Sequence, residues 1–297
     1  MVSPILKIHR RNPFFLLVVI MLFISTVSPA TGAENRSNAW QFNALAGRLI
    51  RDGFATRRIQ ALYADPKAAF ETRGVSLYFV HSEAKLNYDQ FTSRWAIRRA
   101  LKYQKKHRDI LNAIEQKTGV DPHVITAIIL VETGLGNTLG SRSIFNTLSS
   151  LAALSDASVQ EDLWKKFKNK YDLSKKEFEA TAARKAKWAY RELKAFLKFA
   201  DREKFDPLTV VGSYAGALGI AQFMPSTALA YAEDGNRDGR IDLFDHADAM
   251  ASIAGFLKRF GWRPGIDTES ARKVIYRYNH SSYYVDTILE IRRLLKG

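Results

Sequence analysis

The 297 residues contain no cysteine. That excludes a disulfide scaffold, a thiolate-ligated metal centre and a lipid anchor on cysteine. After the N-terminal segment no second apolar run approaches the roughly 20 residues of a membrane-spanning helix. There is no clear internal repeat and no low-complexity linker, and alternating strand-like patterns are few. Acidic residues are outnumbered, 30 against 45 basic, for a net charge of +15. A hydrophobic fraction of 46% with 25% charged residues excludes disorder across the whole chain. The length fits one large domain or two modest ones.

What is there begins with a leader. Lys7, Arg10 and Arg11 precede Phe14 to Val27, a 14-residue apolar run, and Thr31-Gly32-Ala33 follows as a cleavage-like site. Residues 1–33 therefore read as a secretory signal peptide, with an uncleaved anchor as the alternative. Residues 34–297 are the globular part. Without the leader's three basic residues this part carries 42 positive and 30 negative groups, +12. A basic exported protein suits an anionic polymer or a membrane surface. Export argues against nucleic acid. The basic pairs are scattered: Arg57-Arg58, Arg98-Arg99, Lys165-Lys166, Arg292-Arg293.

From Trp40 onward the pattern is mainly α. Leu45, Leu49 and Ile50 give helical spacing over Asn43–Arg51. Asp65-Pro66 punctuates the chain. One long amphipathic helix is expected over Phe91–Ile114. Ser174 with Glu177 forms a capping-box pattern ahead of a helix reaching Phe199. Val75–Val80 is the best candidate for a small β element.

Asp121-Pro122 is a helix start, a cap followed by a proline where no N–H is needed. The run His123–Val131 is apolar on nearly every face, so this helix should cross the core. It ends at Glu132, before Thr133-Gly134-Leu135-Gly136. A carboxylate buried there would have a raised pKa and could donate a proton near neutrality, as glycosidic cleavage requires. The bland alternative is a glutamate emerging into solvent. Residues 212–227 interleave glycines with Ser213 and Gln222. The glycines suit a tight packing turn; the polar pair suits a sugar or an amide.

Asp234, Asn236, Asp238 and Asp242 stand at positions 1, 3, 5 and 9 of an EF-hand-like loop, with Gly239 at position 6. Arg240 would give its carbonyl at position 7. The usual closing glutamate is replaced by Asp245 at position 12, and Asp248 could close a longer loop, 234–248. Structural Ca²⁺ is expected, without an organic cofactor.

Taken in order, Val131-Glu132-Thr133, Gly212–Thr227, the calcium loop with Asp248, Gly261-Trp262 and Tyr278-Asn279-His280-Ser281 resemble the membrane-bound lytic murein transglycosylase B family. The resemblance covers roughly residues 40–297. It implies a lysozyme-like fold in a Gram-negative periplasm, acting as a monomer on peptidoglycan glycan strands. The family cleaves the β-1,4 bond between N-acetylmuramic acid and N-acetylglucosamine without water, leaving a 1,6-anhydro end. Glu132 would be its sole acid/base. Ser213 and Gln222 would hydrogen-bond the scissile sugars, Asn279 would touch the reacting saccharide, and Tyr278, Tyr284 and Tyr88 would shape the cleft. Two departures stand out. The segment before Glu132 is short for the family, and Phe256 occupies a position where a tyrosine is expected. A hydrolytic muramidase, a silent peptidoglycan-binding scaffold and a calcium-dependent adhesion module are the rival readings.

Overall fold

The computed structural model describes residues 38–80, 88–169 and 173–297. The leader expected at 1–33 lies outside these residues. Along the described chain run α1 (Asn43–Arg51), α2 (Thr56–Ala64), α3 (Thr72–Val80), α4 (Arg94–Lys106), α5 (Arg108–Thr118), α6 (Pro122–Thr133), β1 (Arg142–Ser143), α7 (Ile144–Ala153), α8 (Ala157–Phe167), α9 (Lys175–Glu203), β2 (Val211–Gly212), α10 (Pro225–Tyr231), α11 (His246–Arg259), α12 (Thr268–Tyr278) and α13 (Ser282–Lys296). Short 3-10 turns cover Asn38–Phe42 and Tyr88–Thr92.

Two helices organise the packing. In α6 every residue from Val124 to Thr133 is buried, because a helix apolar all round has no face to give to water. Helices α4, α5, α11 and α13 surround it. Asp121 caps it, accepting from the Val124 N–H at 3.1 Å. The long α9 begins in the expected capping box, with Ser174 and Glu177 each accepting the other's backbone N–H. It packs on α7, α8 and α10. One continuous apolar core joins both groups. Strands β1 and β2 pair antiparallel, Arg142 opposite Gly212 and Ser143 opposite Val211.

Two expectations change. The β element is not at 75–80, which is the end of α3. There Val75 is buried and Phe79, four residues on, stacks on Phe178 at 4.9 Å. Helical spacing puts both on one face, and that packing overrides the strand propensity of the segment. The small β element is instead the β1–β2 pair. The helix expected over 91–114 is broken at His107, which ends α4 and begins α5. His107 turns inward, its ring 4.4 Å from that of Tyr103 and 4.8 Å from that of His246.

Candidate active site

Glu132 leaves α6 without reaching solvent; it is 1% exposed. Gly134, at φ +58°, ends the helix in the left-handed conformation that glycine adopts without strain. The Thr133 hydroxyl accepts from the Gly136 N–H at 3.0 Å and reaches the Ile220 carbonyl at 3.2 Å. That ties the helix end to the 212–227 segment.

One oxygen of Glu132, Oε1, accepts from the Tyr284 hydroxyl at 2.7 Å. The other, Oε2, is buried with no hydrogen-bond partner among the described residues. Burial pushes the Glu132 carboxyl up to about 8, against the opposing pull of the Tyr284 bond. Near neutral pH Glu132 is therefore mostly the acid, able to give a proton. Burial and the nearby Glu132 charge hold the Tyr284 and Tyr278 hydroxyls well above their ordinary values. The rings of Tyr278 and Tyr284 lie parallel, 6.4 Å apart, and the Tyr278 hydroxyl donates to the Ala221 carbonyl at 2.6 Å.

A cleft of about 140 Å³ opens onto Glu132. Gln222, Phe223, Met224, Thr227, Phe256, Arg277, Tyr278 and His280 complete its lining. Among the described residues of this lining Glu132 is the one carboxylate. Gln222 sits at φ +47°, a conformation costly for a side chain with a Cβ, of order 1–3 kcal/mol. A tight turn enforces it. The Leu218 N–H donates to the Phe223 carbonyl at 2.9 Å, and Gln222 Nε2 donates to the Gly219 carbonyl at 2.8 Å. A Cβ on Gly219 would lie 2.3 Å from the Leu243 carbonyl, so only glycine permits this approach. The Ile220 N–H then donates to that same carbonyl at 2.8 Å. Buried Glu192 of α9 secures the far end, accepting from the Ser226 N–H at 2.9 Å and hydroxyl at 3.0 Å.

Leu243 belongs to the EF-hand-like loop, so that loop backs the cleft wall directly. Asp234 accepts from the Arg237 and Gly239 N–H groups, Asn236 from Asp238, Asp238 from Arg240, and Asp242 from Phe244. The two candidate closing residues, like the other side chains of the loop, accept backbone N–H groups. Asp245 caps α11 through the Ala247 and Asp248 N–H groups, because a helix start leaves donors to satisfy. Asp248 is fully buried. Its Oδ1 accepts from Gly235 and Asn236, and its Oδ2 from Asp242. Among the described residues no group of three or more His, Asp or Glu side chains converges as around a metal ion. The donors that fit a cation are the loop oxygens of Asp234, Asn236, Asp238 and Asp242 and the Arg240 carbonyl, with Asp245 or Asp248 as the closing carboxylate, an all-oxygen set suited to Ca²⁺.

The family model described as "Transglycosylase SLT domain" matches residues 37–271. The chain belongs to that family. This SLT-domain chain is 34% identical over 163 residues to membrane-bound lytic murein transglycosylase B of Escherichia coli strain K12, 55% of this chain and 38% of that protein. The matched stretch thus spans less than half of the relative's length. Among solved structures, soluble lytic transglycosylase SltB1 from Pseudomonas aeruginosa superposes with a TM-score of 0.69 at 25% identity, covering 86% of this chain and 98% of that one. The Escherichia coli lytic transglycosylase SLT35, in complex with calcium, gives a TM-score of 0.67 at 24% identity over 89% and 95%. Pseudomonas aeruginosa SltB3, in complex with NAG-anhNAM-pentapeptide, gives 0.69 at 18% over 88% and 80%. The mainly helical, lysozyme-like fold is thereby shown.

The SLT domain gathers most of the residues singled out in the sequence. Glu132, Gln222 and Tyr278 line one cleft, and Tyr284 touches Glu132. Tyr88 lies in the 3-10 turn that packs on α13, near enough for its charge to bear on Tyr284. Asn279 is buried at the end of α12, between two lining residues but not itself among them. Ser213 also stands outside the lining. Its hydroxyl accepts from the Ala215 and Ala217 N–H groups and shapes the turn after β2. Sequence reasoning passed over Met224, Thr227, Arg277 and His280. Each adjoins or falls within a motif already noted, which was the available signal. Nothing local revealed that they face Glu132.

Proposed function

We propose that this chain cleaves the β-1,4 bond between N-acetylmuramic acid and N-acetylglucosamine of peptidoglycan without water. The observation that carries the reading is Glu132, a buried and largely protonated acid that is the one carboxylate among the described residues lining the cleft. Hydrolytic glycosidases normally set a second carboxylate opposite the first, to activate water or form a covalent intermediate.

Glu132 gives its proton to the glycosidic oxygen as the bond to the anomeric carbon breaks. The carboxylate left behind keeps the Tyr284 hydrogen bond. It then takes the proton of the muramic acid 6-hydroxyl as that oxygen bonds to the anomeric carbon, restoring the acid. The substrate's own N-acetyl oxygen compensates the developing positive charge. An internal hydroxyl held against the reacting carbon has the advantage of proximity over free water. Gln222 presents amide groups to the sugars, Tyr278 and Phe223 wall the cleft, and Tyr88 borders it beyond Tyr284. Ser213 orders the turn after β2 through the Ala215 and Ala217 N–H groups, and Asn279 follows Tyr278 at the end of α12.

Calcium, which would be held by Asp234, Asn236, Asp238, Asp242 and the Arg240 carbonyl with Asp245 or Asp248 closing the loop, is structural in this reading. It would neutralise the loop's carboxylates and stiffen the loop behind Leu243. Residues 1–33 direct export to the periplasm of a Gram-negative cell, where the chain acts as a monomer, free or held by an uncleaved leader. Mass spectrometry of digested sacculi tests the chemistry. The anhydro product is lighter than the hydrolysed one by one water. A digest dominated by the heavier, reducible product would make this chain a muramidase.

A further inference from the structure

Helix α4 carries a charge pattern that the cleft does not account for. From Arg94 to Arg108 there are seven lysines and arginines and no acidic residue. Ala96, Ala100 and Tyr103 face the core. Arg94, Arg98, Lys102 and Lys105 run along the exposed face at helical spacing. Among the described residues none of these four pairs with a carboxylate. Two exposed apolar side chains flank the stripe, Trp95 at 62% and Leu101 at 44%.

The position of this face is informative. The Arg99 guanidinium lies over the Trp95 ring at 4.5 Å and donates to the Gly134 carbonyl at 3.0 Å, two residues past Glu132. The turn that carries Tyr88 leads directly into α4 through its cap, Ser93. The middle of α4 is thus tied to the turn that follows Glu132, and the start of α4 to the turn that carries Tyr88. Among the described residues lining the cleft there is one permanent cation, Arg277. A peptidoglycan strand in the cleft would carry peptide stems along its length, and every free stem ends in a carboxylate.

We propose that the exposed face of α4 is a docking surface for the carboxylates of peptidoglycan stem peptides, holding the strand along the cleft. This rests on the reading of the substrate as peptidoglycan. An anionic membrane is the competing partner for a basic helix, and the geometry disfavours it. An interfacial helix buries a continuous apolar face in the lipid. The apolar face of α4 is already used in the core, and Trp95 and Leu101 stand ~120° apart around the helix with the cations between them.

The test is sedimentation binding of the full chain carrying Glu132→Gln, so that the polymer stays intact. It is compared with the same chain also carrying Arg98→Glu, Lys102→Glu and Lys105→Glu. The probes are intact sacculi, glycan strands stripped of stems by an amidase, and phosphatidylglycerol vesicles. Charge reversal is expected to weaken binding to intact sacculi by about tenfold or more at low salt, the lower end of electrostatic enrichment by a charged surface. Amidase leaves a lactyl carboxylate on each muramic acid, close against the strand, so charge reversal should weaken binding to stripped strands far less than binding to intact sacculi, and raised salt should erase the difference. If the reversed chain does not melt cooperatively, the triple alanine variant reads the same contrast. Equal binding of both chains to intact sacculi overturns the proposal. So does vesicle binding that depends on these residues while removal of the stems changes nothing. A reducing-end product with stem-dependent binding intact would overturn the cleavage chemistry and leave this surface standing.

Discussion

The Tyr284 hydroxyl donates to Oε1 of Glu132 at 2.7 Å, across 152 residues of sequence. Helix α13 brings the tyrosine in, and the Arg292 guanidinium of the same helix clasps Asp121 at 2.7 and 2.9 Å at the start of α6. The acid is thus oriented by a helix bolted to its own at the opposite end. Burial opposes the charge on Asp121, yet the adjacent His123 ring and the bonds from Arg292 and the Val124 N–H hold its carboxyl well below the usual range.

Glu132→Gln should abolish cleavage and leave the fold intact. The amide oxygen can still accept from Tyr284, but the transferable proton is gone. General acid–base loss costs about 10²–10⁴-fold, and more where one residue serves both steps. Release of soluble muropeptides from sacculi measures it, with circular dichroism as the control. Near-parental release would remove Glu132 from its proposed role.

The same substitution should change how stability depends on pH. The folded Glu132 carboxyl sits at about 8, against 4.5 for the free side chain. Because the folded value is the higher one, the folded state holds the proton that the unfolded chain releases. The contribution is complete below about pH 4.5, fades as pH rises, and is gone above about pH 8. The full swing is of order a few kcal/mol. Thermal melts across this window should show the glutamine variant gaining on the parent as pH rises. Parallel curves would mean that Glu132 is ionised in the fold.

Tyr284→Phe removes the bond that partly offsets burial. The Glu132 value should climb further, and the alkaline limb of the pH–rate profile should move upward. The rate should fall, because the carboxylate formed in the first step loses its donor; a charge-assisted hydrogen bond is worth about 1.5–3 kcal/mol. An unchanged profile with an unchanged rate would show that the contact has no part in the chemistry.

Calcium should raise the melting temperature of this chain, and Asp234→Ala should cancel the gain. At 100 times its Kd a bound ion stabilises by about 2.7 kcal/mol. Scanning calorimetry with calcium and with chelator decides it. An unchanged midpoint in the parent would mean that the loop stands without an ion, held by its own Asx turns and by Asp248.

The N-terminus of α6, its apolar passage and its glycine stop were legible as sequence, because capping and helix periodicity are local physics. So were the α9 capping box and the oxygen positions of the 234–242 loop. The end of α3 misled because strand propensity is weak against the packing of Phe79 on Phe178. The break at His107 was hidden for a related reason: nothing in the run 91–114 announces that an imidazole will turn inward toward Tyr103 and His246.

What the sequence determined by itself is a carboxylate at the end of a buried helix, a polar-and-glycine segment and an aromatic segment, each specified by neighbours a few residues away. Only the tertiary structure decided their use. It closed a cleft from α6, the 219–227 turn, α11 and α12, with one carboxylate among the described lining residues, and brought Tyr284 to Glu132 from α13. It turned Ser213 and Asp248 toward backbone donors. The physical reason is that a pKa near 8 and an unpaired Oε2 come from exclusion of water. Exclusion of water depends on atoms from distant segments packed together.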